Sequence, residues 1–113
     1  MKPEYFTQTY KAGENDCWTL VQDIFRDEHG VDLPYYPITR EEDHAKAYDH
    51  FHKNVNFERV QKAEKGCIIV FKSGRVKWHC GYALNSRQYI HRLNHKTTVT
   101  DIPAKSSIYK VLP

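Results

Sequence analysis

The sequence predicts an α+β fold in which helices come first and a small antiparallel sheet follows. A stripe of apolar residues at helical spacing lies near the amino terminus. After Gly66, five short segments are rich in β-branched and aromatic residues, as is typical of strands. Only a few polar residues separate these segments, and such short connections join antiparallel neighbours. Because the helices precede the strands, we expect them to pack together on the sheet.

The first long helix is predicted to begin at Cys17 and to end near His29. Asn15 or Asp16 can act as its N-cap, since either side chain accepts hydrogen bonds from unpaired backbone N–H groups. Gly30 supplies a C-terminal stop. The stripe that should face the sheet consists of Trp18, Val21, Ile24 and Phe25.

Two other segments before the strands carry weaker patterns. Residues 1 to 14 are expected to form an irregular lead-in, and residues 40 to 53 to form a second, more exposed helix. No internal repeat or low-complexity tract interrupts the chain. We therefore expect one domain over residues 1–113, with a sheet of five to six antiparallel strands. The five strands predicted from their composition are residues 67–71, 77–84, 88–93, 97–102 and 107–112.

Composition excludes several classes of protein. A chain of 113 residues with 40% apolar and 27% charged residues fits one globular domain. The net charge of +3 comes without the dense basic cluster of a nucleic-acid binder. No apolar run fits a signal peptide or a membrane span, so we expect cytoplasmic synthesis and no membrane insertion. Three cysteines without CxxC spacing argue against a disulfide scaffold or a zinc ribbon. We expect no cofactor.

Cys17 is a candidate nucleophile because of its position in the first turn of a helix. A free thiol titrates near about 8.5, and a helix N-terminus or a nearby imidazolium lowers that value to roughly 3.5–7.5. The thiolate is the nucleophile, so such a position favours reactivity. The alternative is that Cys17 is a small buried apolar residue, which is the usual environment of cysteine.

A nucleophilic thiol needs a base, and the base needs a group that orients it. Among seven histidines, only His79 and His91 lie well inside predicted strands. If the turn between these strands centres on Asn85, the two histidines are directly opposed, with Cβ atoms about 4.5–5.5 Å apart. A two-residue turn over residues 85–86 would instead place the rings on opposite faces. The alternative for each histidine is a structural role, in which a single hydrogen bond satisfies its ring in the core or at the edge of the sheet.

The neighbours of His79 along its strand alternate in size. Gly81 and Ala83 share the face of His79, and their small side chains are expected to leave room for a helix end or a substrate. Trp78, Cys80 and Tyr82 are expected to point to the other face and to pack in the core.

Together these residues resemble the NlpC-type cell-wall peptidases, a bacterial papain-like group of cysteine peptidases. Asp16-Cys17 stands at the start of a helix, as in that family, and Gly66 precedes an apolar strand. The segment HCGYAL begins at His79, and YIH ends at His91 after the twelve-residue step that is usual in the family. The resemblance extends from about residue 5 to residue 112.

The resemblance implies a papain-like fold and a set of catalytic roles. Cys17 would be the nucleophile. His79 would be the general base and would then protonate the leaving amine. His91 would orient His79 through its other ring nitrogen. No metal takes part in this mechanism.

The resemblance also implies an oxyanion and substrate site around the nucleophile. The Cys17 backbone N–H and the Tyr10 hydroxyl would stabilise the oxyanion, and Asp16 and Trp18 would lie beside the substrate. Two positions depart from the family pattern. Trp18 stands where most members have a small residue, which affects specificity. Cys67 stands where the family has an aspartate that stabilises a turn.

The substrate class that the resemblance implies is peptidoglycan, whose stem peptides are cleaved at amide bonds, often after γ-linked D-glutamate. The compact chain looks most like small members encoded by tailed phages. That likeness implies a location in a virion tail or at the host cell envelope, with other tail proteins as partners.

Three alternatives remain open at this point. The chain could be a non-enzymatic tail or assembly component that kept the fold. It could be a thiol transacylase, in which an amine instead of water resolves the thioester. It could also bind zinc through Cys17, His79, His91 and His95, although this spacing is not diagnostic.

Overall fold

The computed structural model describes residues 2–7, 17–33, 56–73, 77–93 and 96–112. The predicted helix over residues 40–53 lies outside these ranges. No helix among the described residues has the length and apolarity that a membrane span requires. The described elements are, in order, α1 (Glu4–Thr7), α2 (Cys17–His29), β1 (Phe57–Val60), β2 (Ile68–Ser73), β3 (Lys77–Ala83), β4 (Gln88–Leu93), β5 (Lys96–Asp101) and β6 (Ser107–Val111).

The strands form one six-stranded antiparallel sheet in the order β1-β6-β2-β3-β4-β5. The last strand of the chain, β6, therefore lies between β1 and β2. Helices followed by an antiparallel sheet confirm the predicted α+β class, and the architecture is consistent with a papain-like fold. The bounds of β2 to β6 agree with the predicted strands to within two residues.

Strand β1 is the strand that the sequence pattern did not predict. Its central residues, Glu58 and Arg59, are exposed, and among the described strands it pairs only with β6, at the edge of the sheet. An edge strand with charged residues lacks the apolar alternation that identifies a strand. Such charges discourage the open edge from pairing with another chain.

Helix α2 matches its prediction in both bounds. The residues of the apolar stripe are all buried, and the helix packs on β3 and β4. The helix ends because Gly30 takes a φ of 66°, a left-handed conformation that suits glycine. The Gly30 N–H donates to the Arg26 carbonyl at 3.1 Å, which satisfies one of the last carbonyls of the helix.

Apolar residues form two clusters, one on each face of the sheet. Helix α2 covers one face, where it contacts Cys80, Tyr82 and Ile90. The second cluster includes Ala83 and Tyr89, which alternate with those residues along β3 and β4. Cys80 and Tyr82 therefore lie in the core as predicted, whereas the side chain of Trp78 is outside the described part.

The short helix α1 falls in the segment that we expected to be irregular, and tertiary contacts hold it. The Tyr5 hydroxyl donates to the Asp27 carboxylate on α2, and Lys2 forms an ion pair with Asp27 at 3.2 Å. From β4, the fully buried Arg92 donates to the Tyr5 carbonyl at 3.1 Å and to Thr97 Oγ1 at 2.9 Å. A helix of one turn is unstable alone, so its formation depends on these contacts. Its own sequence therefore carries no helical signal.

Candidate active site

Cys17 is the first residue of α2 and is 2% exposed. At this position the positive end of the helix dipole favours an anion. Tyr10 and Asp16, which we predicted to lie beside Cys17, are outside the described residues. Trp18 is 7% exposed in the core between α2 and the sheet, so little of its ring is accessible to a substrate.

The structure brings His79 and His91 into direct contact. Nε2 of His79 lies 2.8 Å from Nδ1 of His91, and the ring planes are inclined by 77°. Both side chains are buried. Since the distance is that of a hydrogen bond between ring nitrogens, one of the two atoms must carry a proton and the other a lone pair.

The register of the β3–β4 hairpin differs from the one expected. Tyr82 pairs with Ile90 and Ala83 pairs with Tyr89, so the turn centres on residue 86 and not on residue 85. These paired residues define the register next to the turn, and both histidines lie beyond them along the strands. The two rings still share one face of the sheet, since their nitrogens lie within hydrogen-bond distance.

Asn85 accounts for this register. Its side-chain Oδ1 accepts hydrogen bonds from the Arg87 N–H at 2.8 Å and the Gln88 N–H at 2.9 Å. Asparagine commonly begins a turn in this way. The Leu84 N–H then donates to the Gln88 carbonyl at 2.9 Å and closes a three-residue loop over residues 85–87.

Aromatic rings surround the histidine pair on its face of the sheet. The Tyr89 ring is stacked on the His91 ring, with centroids 4.4 Å apart and planes inclined by 8°. Phe71 meets His79 edge-on, with centroids 5.3 Å apart. The Tyr89 ring also occupies the space above Gly81. The expectation that Gly81 leaves room for a helix end or a substrate was therefore wrong, because a neighbouring ring fills that space.

Replacing Gly81 with alanine should lower both stability and activity. The new Cβ would overlap the Tyr89 ring and lie 2.7 Å from the Ile90 carbonyl oxygen, which is backbone and cannot move easily. We expect the free energy of unfolding to fall by about 1–3 kcal/mol, as overpacking usually costs, and His91 to lose its stacked position. Urea denaturation and a hydrolysis assay measure the two effects.

Gly30→Ala is the matched control for that substitution. An added Cβ at Gly30 meets nothing within 4 Å, so its cost is only the strain of a positive φ, about 1–2 kcal/mol. We expect Gly30→Ala to lose stability but to keep full activity. Wild-type activity in Gly81→Ala would show that the position of the Tyr89 ring does not matter to the site.

The pKa of His91 is lowered to about 4 from the usual 6.5, mainly by burial and in part by positive charge on His79. A thiolate at Cys17 acts in the opposite direction, which shows that the sulfur lies within electrostatic range of His91. His91 is therefore neutral at neutral pH. A neutral imidazole keeps one lone pair, so His91 can accept a hydrogen bond from a protonated His79.

This shift predicts a dependence of stability on pH. The unfolded chain binds a proton at residue 91 between about pH 6.5 and pH 4, whereas the folded chain does not. Stability must therefore fall as the pH falls through this range, by up to about 3 kcal/mol in total. Urea denaturation at several pH values should show this loss in the wild type, and His91→Asn should show a shallower one. Equal slopes for the two proteins would contradict the assignment.

The other nitrogen of His91 faces strand β5. Nε2 lies 2.9 Å from Thr100 Oγ1 and 3.3 Å from Thr98 Oγ1. Sequence reasoning missed these threonines, as well as the stacked Tyr89. Two threonines at alternate positions of the next strand were the available signal, since alternate residues share a face.

Cys67 and His29 are two further positions whose surroundings the structure describes. Cys67, which departs from the family pattern, is buried, and backbone bonds hold its turn without a carboxylate: its N–H donates to the Glu64 carbonyl at 3.1 Å. His29, expected to be a solvated surface residue, has an exposed side chain but lies 2.7 Å from the Tyr82 hydroxyl through Nε2.

No metal centre is evident in the described part of the chain. It contains no group of three or more His, Cys, Asp or Glu side chains placed to hold an ion. Cys17, His79 and His91 belong to the described residues, whereas His95 does not. The geometry thus gives no support to a zinc site formed by the first three.

Comparison with known families identifies the chain. The model of the NlpC/P60 family matches residues 4–112, a span that includes Cys17 and both strand histidines. The chain belongs to the NlpC/P60 family. Proteins of the NlpC/P60 family are generally cysteine peptidases or amidases of the cell wall, so membership indicates this class of activity. None of the curated proteins compared with the chain matches it.

Proposed function

We propose that the protein is a cysteine peptidase or amidase that hydrolyses amide bonds in the stem peptides of peptidoglycan. The observation that carries the proposal is the buried contact of 2.8 Å between His79 and His91 in a chain of the NlpC/P60 family. The position of Cys17 at the N-terminus of α2, within electrostatic range of His91, adds support.

The proposed reaction has two steps. The Cys17 thiolate attacks the scissile carbonyl carbon, and protonated His79 gives its proton to the leaving amine as the C–N bond breaks. The product of this step is a thioester on Cys17. His79 then takes a proton from water, the resulting hydroxide attacks the thioester, and the thiolate leaves with the free carboxyl product.

In this mechanism His91 supports the charge that forms on His79. Protonated His79 donates from Nε2 to His91 Nδ1, and the neutral state of His91 at neutral pH makes that lone pair available. The Cys17 backbone N–H, at the first position of α2, is the proposed donor for the oxyanion. The sequence supports two further proposals. One is that Tyr10 is a second donor to the oxyanion, and the other is that Asp16 and Trp18 contact the substrate.

The compact spacing of the motifs supports a further proposal, that the protein works in a phage tail. It would then act in the virion tail or at the host cell envelope, with other tail proteins as partners. Cosedimentation with assembled tails tests this location independently of the activity.

The experiment that tests the activity is digestion of purified peptidoglycan by untagged protein, with mass spectrometry of the soluble products. Two preparations should be used, one with diaminopimelate in the stem peptides of the peptidoglycan and one with lysine there. We expect stem-peptide fragments with a new amino terminus and one added water, formed equally well with a metal chelator. Fragments from neither wall would contradict the proposal, and fragments joined to an added amine would indicate a transacylase.

A further inference from the structure

We propose that Thr100 and Thr98 of β5 are positioning residues that hold His91 as the tautomer protonated at Nε2. This inference deepens the proposed function and rests on it, because the tautomer of His91 determines which nitrogen of His79 can act as a base. The two threonine hydroxyls contact His91, and through it they act on His79.

The two threonines converge on one ring nitrogen. Thr98 is directly opposite His91 in the β4–β5 ladder, and Thr100 follows two residues later on the same face. Their hydroxyl oxygens lie 3.3 and 2.9 Å from Nε2 of His91. On the other side of the ring, Nδ1 faces His79 at 2.8 Å. Both ring nitrogens of His91 are therefore engaged within one face of the sheet.

The presence of two oxygens favours a proton on Nε2. A neutral imidazole has one N–H and one lone pair. An N–H can be shared between two acceptor oxygens in a three-centre bond, which is common in proteins. A ring lone pair lies in a single direction and accepts one strong bond. With the proton on Nε2, the lone pair of His91 is on Nδ1 and faces His79.

Tyr89 borders the same site. It lies directly opposite Thr100 in the β4–β5 ladder, and its ring is stacked on the His91 ring. Burial raises the pKa of Tyr89 to about 12, so its phenol is neutral. The groups that face His91 are thus His79 from β3, Tyr89 on β4 and both threonines from β5, with the Cys17 charge from α2 in range.

The tautomer of His91 has a direct consequence for His79. When His91 Nδ1 accepts, His79 donates from Nε2, and neutral His79 keeps a lone pair on Nδ1 for a proton from Cys17 or water. In the opposite tautomer, His91 would donate to His79 Nε2. Neutral His79 would then carry its proton on Nδ1 and could not take another there. The β5 hydroxyls therefore favour the state in which His79 is a base.

The test is the double variant Thr98→Val/Thr100→Val, examined by ¹⁵N NMR of the histidine rings and by steady-state kinetics. Valine is nearly isosteric with threonine and suits a strand, so the fold should persist. We expect the wild type to show His91 protonated at Nε2 and the variant to show a mixture of tautomers. We also expect kcat/KM to fall about tenfold through kcat, with KM unchanged.

The single variant Thr100→Ser is the matched control, since it keeps the hydroxyl and should retain both the tautomer and the activity. An unchanged tautomer in the double variant, or unchanged kcat/KM of an active protein, would overturn the inference. The NMR result does not depend on a substrate. If the wild type released no fragments but the double variant still lost the tautomer, the positioning role would stand and the proposed hydrolase would fail.

Discussion

Cys17→Ala should release no detectable stem-peptide fragments from peptidoglycan, a fall in rate of at least about 10³-fold. The thioester requires the sulfur, and alanine offers no nucleophile in its place. Cys17 is 2% exposed, so the substitution removes one buried atom and should cost only about 1 kcal/mol of stability. Circular dichroism and urea denaturation establish that the variant is folded, and mass spectrometry measures the fragments.

Cys67→Ala is the control for Cys17→Ala, because Cys67 is equally buried but precedes strand β2 and does not lie at a helix N-terminus. This control should lose a similar amount of stability and keep its activity. Cys17→Ser should be as inactive as Cys17→Ala, since a hydroxyl ionises far less readily than a thiol. Undiminished cleavage by folded Cys17→Ala would remove the cysteine peptidase mechanism.

His79→Gln should reduce kcat/KM by about 10³-fold or more, with the loss in kcat. The glutamine amide can occupy the position of Nε2 and keep a hydrogen bond to His91, but it cannot accept a proton at neutral pH. The variant therefore removes the proposed base while it keeps the packing of the histidine pair. Alkylation of Cys17 by iodoacetamide at neutral pH should also slow, because no imidazolium would remain to stabilise the thiolate.

His29→Gln provides the comparison for His79→Gln. His29 contacts Tyr82 near the opposite end of α2 from Cys17, so its loss should leave the hydrolysis rate and the thiol reactivity unchanged. Equal rates for His79→Gln and the wild type would show that another group is the base. Equal losses in both variants would indicate a general structural effect.

The elements with strong local signals could be predicted from the sequence. Helix α2 has an apolar stripe and a glycine after its last residue, and β2 to β6 have β-branched and aromatic residues between polar turns. The elements that were missed depend on contacts distant in sequence. Helix α1 is held by contacts with Asp27 and Arg92. Strand β1 is an edge strand, and its charged residues interrupt the alternation of apolar and polar residues that identifies a strand.

The relation between His79 and His91 could be predicted only as two alternatives. A three-residue loop places the histidines on one face of the sheet, and a two-residue loop places them on opposite faces. The choice depends on where the Asn85 side chain begins the turn. The contact of His91 with Thr100 arises from packing between strands, and its stacking on Tyr89 depends on side-chain conformations within β4. One sequence reveals neither. The catalytic roles themselves stay predictions.

The hairpin formed by β3 and β4 has a consequence for how the protein folds. Both histidines, Gly81 and Tyr89 belong to residues 77–93, so their mutual contacts close only a short stretch of chain. Contacts of low sequence separation form early and quickly, whereas contacts between distant segments form late. Cys17 lies far upstream, and α2 packs on the sheet through contacts between distant segments. During refolding, the imidazoles should therefore meet before α2 docks, and in the proposed mechanism the chain would become reactive only in its last step of assembly.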